Sequence, residues 1–214
     1  MPKYLDLETW ARRDLFEFFR DYRNPYFNIC TQLDVTRLMS VLRARPGVSV
    51  SLAYHYFALR IANEIEPFHY RLEGADKVVI HEVINGGTTV MLPNETFTYA
   101  YFDYHQDFDQ FIIEAAAAVE KVRAEGSLKP TMRYDLIYFT VLPWVSFTSF
   151  AHARTPGRGE SIPRIAFGKF LRDGDQIRLP ISVEVHHALM DGLHVGRFFM
   201  SLEEALAKPE DYLT

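Results

Sequence analysis

Apolar positions recur at helical spacing through residues 9–21, with Trp10, Leu15, Phe18 and Phe19 on one broad face and Arg12, Arg13, Asp14 and Glu17 mostly elsewhere. Pro25, which lacks a backbone donor, stops this run, and residues 26–35 read as extended. A second helix is predicted over 37–45, capped by Asp34 or Thr36 and closed by Pro46-Gly47. A third, over 50–65, carries Tyr54, His55, Tyr56 and Phe57. The middle of the chain then reads as strands: a pair within 70–84 broken at a glycine-centred turn, followed by 88–92 and 96–102 joined at Pro93-Asn94. Asp107 opens a helix with the apolar face Phe108, Phe111, Ile112, Ala115, Ala116, Val119 and Val122, and Gly126 ends it. Strands over 135–142, 146–152, 163–170 and 176–185, a loop at 155–160 and a last helix over 192–207 complete the pattern.

Early helices, then strands, then a last strand feeding a last helix do not make a regular βαβ alternation, so a doubly wound nucleotide fold is disfavoured. The pattern predicts an α/β (α+β) fold: a mixed β-sheet flanked by helices, in a single domain over residues 1–214. No glycine-rich dinucleotide or phosphate loop occurs; the segment Gly168-Lys169-Phe170 is only a fragment of one. With 17 Phe and 12 Tyr the chain has ample apolar surface to bury, which argues against disorder.

A formal net charge of −5 disfavours a general nucleic-acid binder, although a few local Lys or Arg would suffice for the phosphates of an anionic cofactor. The single cysteine, Cys30, cannot form an internal disulfide and reads as a small buried hydrophobe. No stretch approaches the roughly 18 uninterrupted apolar residues of a membrane helix. The N-terminal segment lacks the apolar core of a signal peptide, so the cytoplasm is the expected location.

The segment IRLPISVEVHHALMDGLHVGRFF, from Ile177 to Phe199, carries the clearest chemistry. Ile181, Val183 and Val185 alternate with Ser182 and Glu184, so the chain arrives at His186 and His187 as a strand. Asp191-Gly192 suits a turn and a helix start, with Asp191 as N-cap. Three readings fit these residues. One is a structural histidine pair with a capping aspartate. A second is a metal site of His187, Asp191 and His194, which lacks a supporting cluster of ligands. The third is a general base, because the intrinsic pKa of histidine lies near neutrality and a rigid turn can hold one tautomer.

The string HHALMDGLHVGRF resembles the signature of the trimeric chloramphenicol acetyltransferases; its short form, HxxxDG, recurs in acyltransferase cores of 2-oxoacid dehydrogenase complexes and in peptide-synthetase condensation domains. WARRDLFEFFR (10–20), LPWVSFTSF (142–150) and FGKFLRDGDQIRLPISVEVHH (167–187) resemble further segments of the same family. The resemblance implies a CoA-dependent acyltransferase fold, acetyl-CoA as co-substrate and no metal. It also implies a homotrimer with sites between subunits, a small-molecule acceptor and antibiotic resistance as the biological role. By position it makes His187 the base and the Ser149 hydroxyl the oxyanion donor. It makes Asp191 and Arg12 a supporting ion pair, and Lys169 and Phe170 CoA contacts. Phe18, Phe19, Phe27, Phe97 and Tyr99 fall at acceptor-pocket positions, with Ser149 and the first-helix aromatics expected from the subunit next to the one that supplies His187. Departures from the family sit around the acceptor more than around the base, with Val50 near the CoA site. Ala166 stands for a threonine, Val50 for a tyrosine and Tyr99 for a small residue, while Arg23 and Pro25 stand for apolar or small residues. Tyr99 predicts a tighter or more polar pocket, and the missing threonine at Ala166 predicts a lower rate with the chemistry retained. They leave open a different alcohol or amine as acceptor, or a non-catalytic CoA-binding relative.

Overall fold

A computed structural model describes residues 2–74, 76–128, 130–154 and 160–213. In chain order the elements are β1 (Lys3–Tyr4), α1 (Arg13–Phe19), β2 (Tyr26–Asp34), α2 (Thr36–Leu42), α3 (Val50–Ala62), β3 (Tyr70–Glu73), β4 (Lys77–Ile80), β5 (Asn85–Met91), β6 (Phe97–Phe102), α4 (Phe108–Glu125), β7 (Leu136–Val141), β8 (Arg164–Phe167), β9 (Leu171–Asp173), β10 (Gln176–His186) and α5 (Gly192–Ala207). The loop expected at 155–160 lies outside the described residues except for Glu160.

The main sheet has seven strands, six of them in the order β2-β10-β8-β7-β5-β6, with β9 pairing β10 at one end. Its two parallel contacts, β5 with β7 and β7 with β8, sit among antiparallel ones, so the sheet is mixed as the pattern predicts. A three-stranded sheet, β1-β4-β3, is joined to it by Arg71. This guanidinium is only 2% exposed. It donates to four carbonyl oxygens: Tyr134 at 2.7 Å, Phe68 at 2.7 Å, Tyr70 at 2.7 Å and Leu136 at 2.6 Å.

Helices pack on one face of the main sheet. On β6 the even positions Thr98, Ala100 and Phe102 are buried, and Phe102 meets Phe111 of α4 edge-on at 5.5 Å. Every residue of α3 from Leu52 to Leu59 is buried, because this helix runs through the middle of the helical layer. Period-two alternation leaves Phe97, Tyr99 and Tyr101 of β6, and Tyr138 and Thr140 of β7, on the opposite face.

Two expectations need correction. The first helix covers Arg13–Phe19 rather than 9–21, and its buried residue is Phe16; Leu15 and Phe18 are exposed. Residues 146–152 form no strand. Both edges of β7 are occupied, by β5 and β8, and the segment crosses the helix-free face instead, where Phe147 rests 3.1 Å from a Cβ position at Gly168. The strand expected over 163–170 accordingly stops at Phe167 and resumes as β9.

Candidate active site

The turn after β10 is built by the sheet and by α5 together. Pairing of β10 with β2 runs to His186 opposite Tyr26, and the His187 N–H donates to Pro25 O at 2.7 Å. Asp191 is the N-cap of α5: its carboxylate accepts from Leu193 N–H at 3.1 Å, and its own N–H donates to His194 Nδ1 at 3.1 Å. The turn between them is therefore held at both ends.

Within it, the half-buried His187 ring stacks on Phe19 of α1, with centroids 3.9 Å apart and planes 6° from parallel, and leans on Phe27 of β2 at 4.7 Å. His187 Nδ1 lies 3.2 Å from Met190 O. A carbonyl oxygen only accepts, so this contact assigns the proton to Nδ1 and leaves the Nε2 lone pair free. That is the tautomer a general base requires. Phe19 reaches His187 within one chain, so the expectation that first-helix aromatics come from a neighbouring subunit is corrected for this residue. Phe18, on the same helix, points to solvent while touching Phe19 and Tyr22.

Arg12 clamps the turn. It pairs with the Asp191 carboxylate and donates through its second terminal nitrogen to His187 O at 3.2 Å. Burial alone would raise the Asp191 pKa, but Arg12, His194 and the Leu193 N–H outweigh it and hold the carboxyl below its ordinary range. His194 serves as an acceptor in the cap, which favours the neutral ring; burial also lowers its pKa. Among the described residues no group of three metal-ligating side chains converges.

The other expected site residues stand elsewhere. Phe97 and Tyr99 line a cavity of about 660 Å³ on the helix-free face, together with Thr89, Tyr138, Thr140, Trp144 and His152. Ser149 is not in that lining; it is exposed in the loop after β7. Lys169 is exposed, and Phe170 is half-buried against Tyr54 at 6.4 Å. Gly168 N–H donates to Pro180 O, so these two residues lie beside β10 about seven positions before His187. At about 3.3 Å per residue that is roughly 23 Å. One chain thus holds the fixed histidine and the expected CoA contacts well apart.

Sequence reasoning missed the polar cluster beside the cavity. Glu184 of β10 is 5% exposed and accepts from Arg154 Nε at 2.6 Å. Arg154 also donates to Glu160 at 3.1 Å and lies 3.9 Å over the Tyr26 ring. Burial would raise the Glu184 carboxyl, but His152 and Arg154 hold it down at about 2. A glutamate between the valines of ISVEV was the available signal, because an inward acid in a central strand requires a partner.

A mixed sheet with helices on one face and a histidine turn at the end of its long interior strand β10 defines an acyltransferase of the CoA-dependent type. A family model for chloramphenicol acetyltransferase matches residues 3–203, and the chain belongs to that family. It is 28% identical to chloramphenicol acetyltransferase 3 of Escherichia coli over 207 residues, covering 93% of this chain and 94% of that one. With the Streptomyces acrimycini chloramphenicol acetyltransferase it shares 31% over 215 residues, 97% and 96% of the two chains. A solved chloramphenicol acetyltransferase superposes with a TM-score of 0.84 at 29% identity, covering 96% of this chain and all of that one. A dihydrolipoamide acetyltransferase from Azotobacter vinelandii has the same fold, with a TM-score of 0.68 at 20% identity over 89% of this chain and 84% of that one.

Proposed function

We propose that the protein is an acetyl-CoA-dependent O-acetyltransferase that acetylates a hydroxyl of chloramphenicol, with His187 as general base. The observation that carries this reading is the His187–Met190 contact, which leaves Nε2 unprotonated on a ring fixed by Phe19 and Phe27. His187 Nε2 takes the proton of the acceptor hydroxyl as its oxygen bonds to the thioester carbonyl carbon. The tetrahedral oxyanion then collapses, the carbon–sulfur bond breaks, and His187 returns the proton to the CoA sulfur. No acyl-enzyme forms.

The oxyanion needs a donor in the wall that the substrate touches. By the resemblance this donor is the Ser149 hydroxyl, which is exposed in the loop after β7 and so open to a neighbouring copy. Lys169 and Phe170 fit the phosphate and apolar parts of CoA, the first as an exposed cation and the second as a half-buried ring. Their separation from His187 supports a site shared between two copies of the chain in a homotrimer, His187 from one and the cavity from its neighbour. A cytoplasmic location and a role in chloramphenicol resistance accord with this reading. Tyr99 and His152 in the cavity favour a second reading for the acceptor alone, namely another small alcohol or amine.

Purified protein mixed with acetyl-CoA, chloramphenicol and a thiol-detecting reagent tests the proposal. Thiol release is expected only with chloramphenicol present, and is expected to vanish in His187→Ala. Release that ignores chloramphenicol points to a different acceptor, and its persistence in His187→Ala removes the base assignment.

A further inference from the structure

The helix-free face of the main sheet carries three phenols that the transfer step leaves unused. Tyr99 and Tyr101 of β6 and Tyr138 of β7 line the 660 Å³ cavity, and each is half-buried. Gly87 of β5 draws them together. It pairs with Tyr101 on one side and with Tyr138 on the other. A Cβ on Gly87 would stand 2.9 Å from Tyr101 Cδ1 and 3.4 Å from Tyr138 Cδ1, so both rings lean over β5 on the cavity side. Tyr99 follows on the same face, its ring 6.3 Å from that of Tyr101 with planes 30° apart.

These hydroxyls are set up to donate. Burial pushes the Tyr101 phenol up to about 12, with Tyr138 and Tyr99 adding to it, and burial raises Tyr138 too, so both keep their protons at neutral pH. The Tyr99 and Tyr138 hydroxyls bond to no described residue, and neither oxygen is sealed from solvent. No carboxylate among the described residues lines the cavity, and the charged side chain that does, Arg164, is a cation paired with Glu160. The wall thus offers phenol protons without an anion of its own to take them. Phe97 meets Tyr99 edge-on at 5.6 Å, and Trp144, also in the lining, is 61% exposed. Aromatic walls with a few fixed polar groups hold a flat ligand in one orientation.

We propose that Tyr99 and Tyr138 determine acceptor specificity: their hydroxyls donate hydrogen bonds to an oxygen-bearing substituent, such as a nitro or sulfonyl group, on an aryl ring of the acceptor. The acceptor class is then a small alcohol whose aryl end carries hydrogen-bond-accepting oxygens. Tyr101 and Gly87 are positioning residues that set the tilt of the Tyr99 and Tyr138 rings. This inference rests on the acetyl-transfer reading for the identity of the reaction, but the contact itself does not depend on turnover.

The test uses chloramphenicol and two analogues, one with a methylsulfonyl group in place of the aryl nitro group and one with hydrogen there. With wild-type protein, the hydrogen analogue is expected to show kcat/KM about tenfold below chloramphenicol, mostly through KM, because a site built to hydrogen-bond a group rejects the analogue without it. The sulfonyl analogue, a stronger acceptor, is expected to match or exceed chloramphenicol. In the double variant Tyr99→Phe with Tyr138→Phe, which keeps both rings and loses only the donors, the three compounds are expected to fall within about twofold of one another. Each single variant is expected to lose part of the discrimination, with circular dichroism checking that every variant folds. Unchanged discrimination in the double variant overturns the proposal, as does a wild-type protein that treats all three compounds alike. Equilibrium dialysis with the same compounds gives a second readout without catalysis. Binding that follows the same order and flattens in the double variant supports the contact even if no acetyl is transferred, in which case the acetylation reading alone fails. Equal binding of the three by wild-type protein, or binding of none, overturns the contact and assigns the phenols to a second copy of the chain or to water.

Discussion

His187 is immobilised by three different kinds of contact: a stacked ring, a tilted ring and a backbone carbonyl. Arg12 adds a fourth through the His187 carbonyl, so the Arg12–Asp191 pair acts on the backbone of the base as well as on the start of α5. Arg12→Val and Asp191→Asn are each expected to destabilise the fold by about 3 kcal/mol in urea titrations, because either leaves a charge with its partner removed. Arg12→Val is expected to reduce kcat further through loss of the His187 carbonyl contact; full stability and rate in both variants would remove the clamp. Buried neutral histidines add a pH dependence. Burial lowers His55 and His186 to about 4 from an ordinary 6.5. Between those values the unfolded chain binds protons that the folded chain refuses, so stability is complete above 6.5 and declines as pH falls towards 4. Each contributes about 3 kcal/mol, and urea midpoints measured at pH 7 and pH 4.5 are expected to differ accordingly. At this scale HHALMDGLH was legible because its geometry is local to a strand end and a helix cap. The cluster of Glu184, His152 and Arg154 was obscured because it forms only where the segment after β7 meets β10.

Among the elements, β5 and β6 show how close packing specifies the sheet. A Cβ on Gly86 would stand 2.3 Å from Phe102 Cε2 and 2.9 Å from Cζ, and the Phe102 ring is confined by Phe111 of α4. Gly86→Ala is expected to cost about 1–3 kcal/mol as a lowered Tm, and Phe102→Leu in the same chain to restore part of it. Equal losses that simply add would show that the two positions do not compete for space. Helices α4 and α5 were readable almost to the residue, since each has an N-cap aspartate, Asp107 and Asp191, before a periodic apolar face. The first helix was overextended because Trp10 supplied an apolar position to the count while its backbone lies outside α1. The run at 146–152 looked like a strand because side chains that cover a sheet alternate much as side chains within one do.

At the scale of the molecule, the helices cover one face of the main sheet while the other holds the cavity, and the fixed histidine follows the end of β10 while the expected CoA contacts lie beside its middle. A site shared between copies predicts complementation. His187→Ala and Ser149→Ala are each expected to be severely impaired alone, yet co-refolding them in equal amounts is expected to restore about a quarter of wild-type activity, the fraction of junctions that receive both intact residues. No recovery would place both residues in a single-chain site.

Arg71 has a consequence for how the molecule comes apart. Its four carbonyl acceptors come from the approach to β3, from β3 itself and from the entry to β7, so the guanidinium exchanges water for protein only when the small and large sheets are already in register. Opening the small sheet alone would strand a cation in the interior. The two sheets therefore behave as one cooperative unit, and amide protons of β3 exchange with solvent at the pace of global unfolding, although a three-stranded sheet by itself would fray within moments.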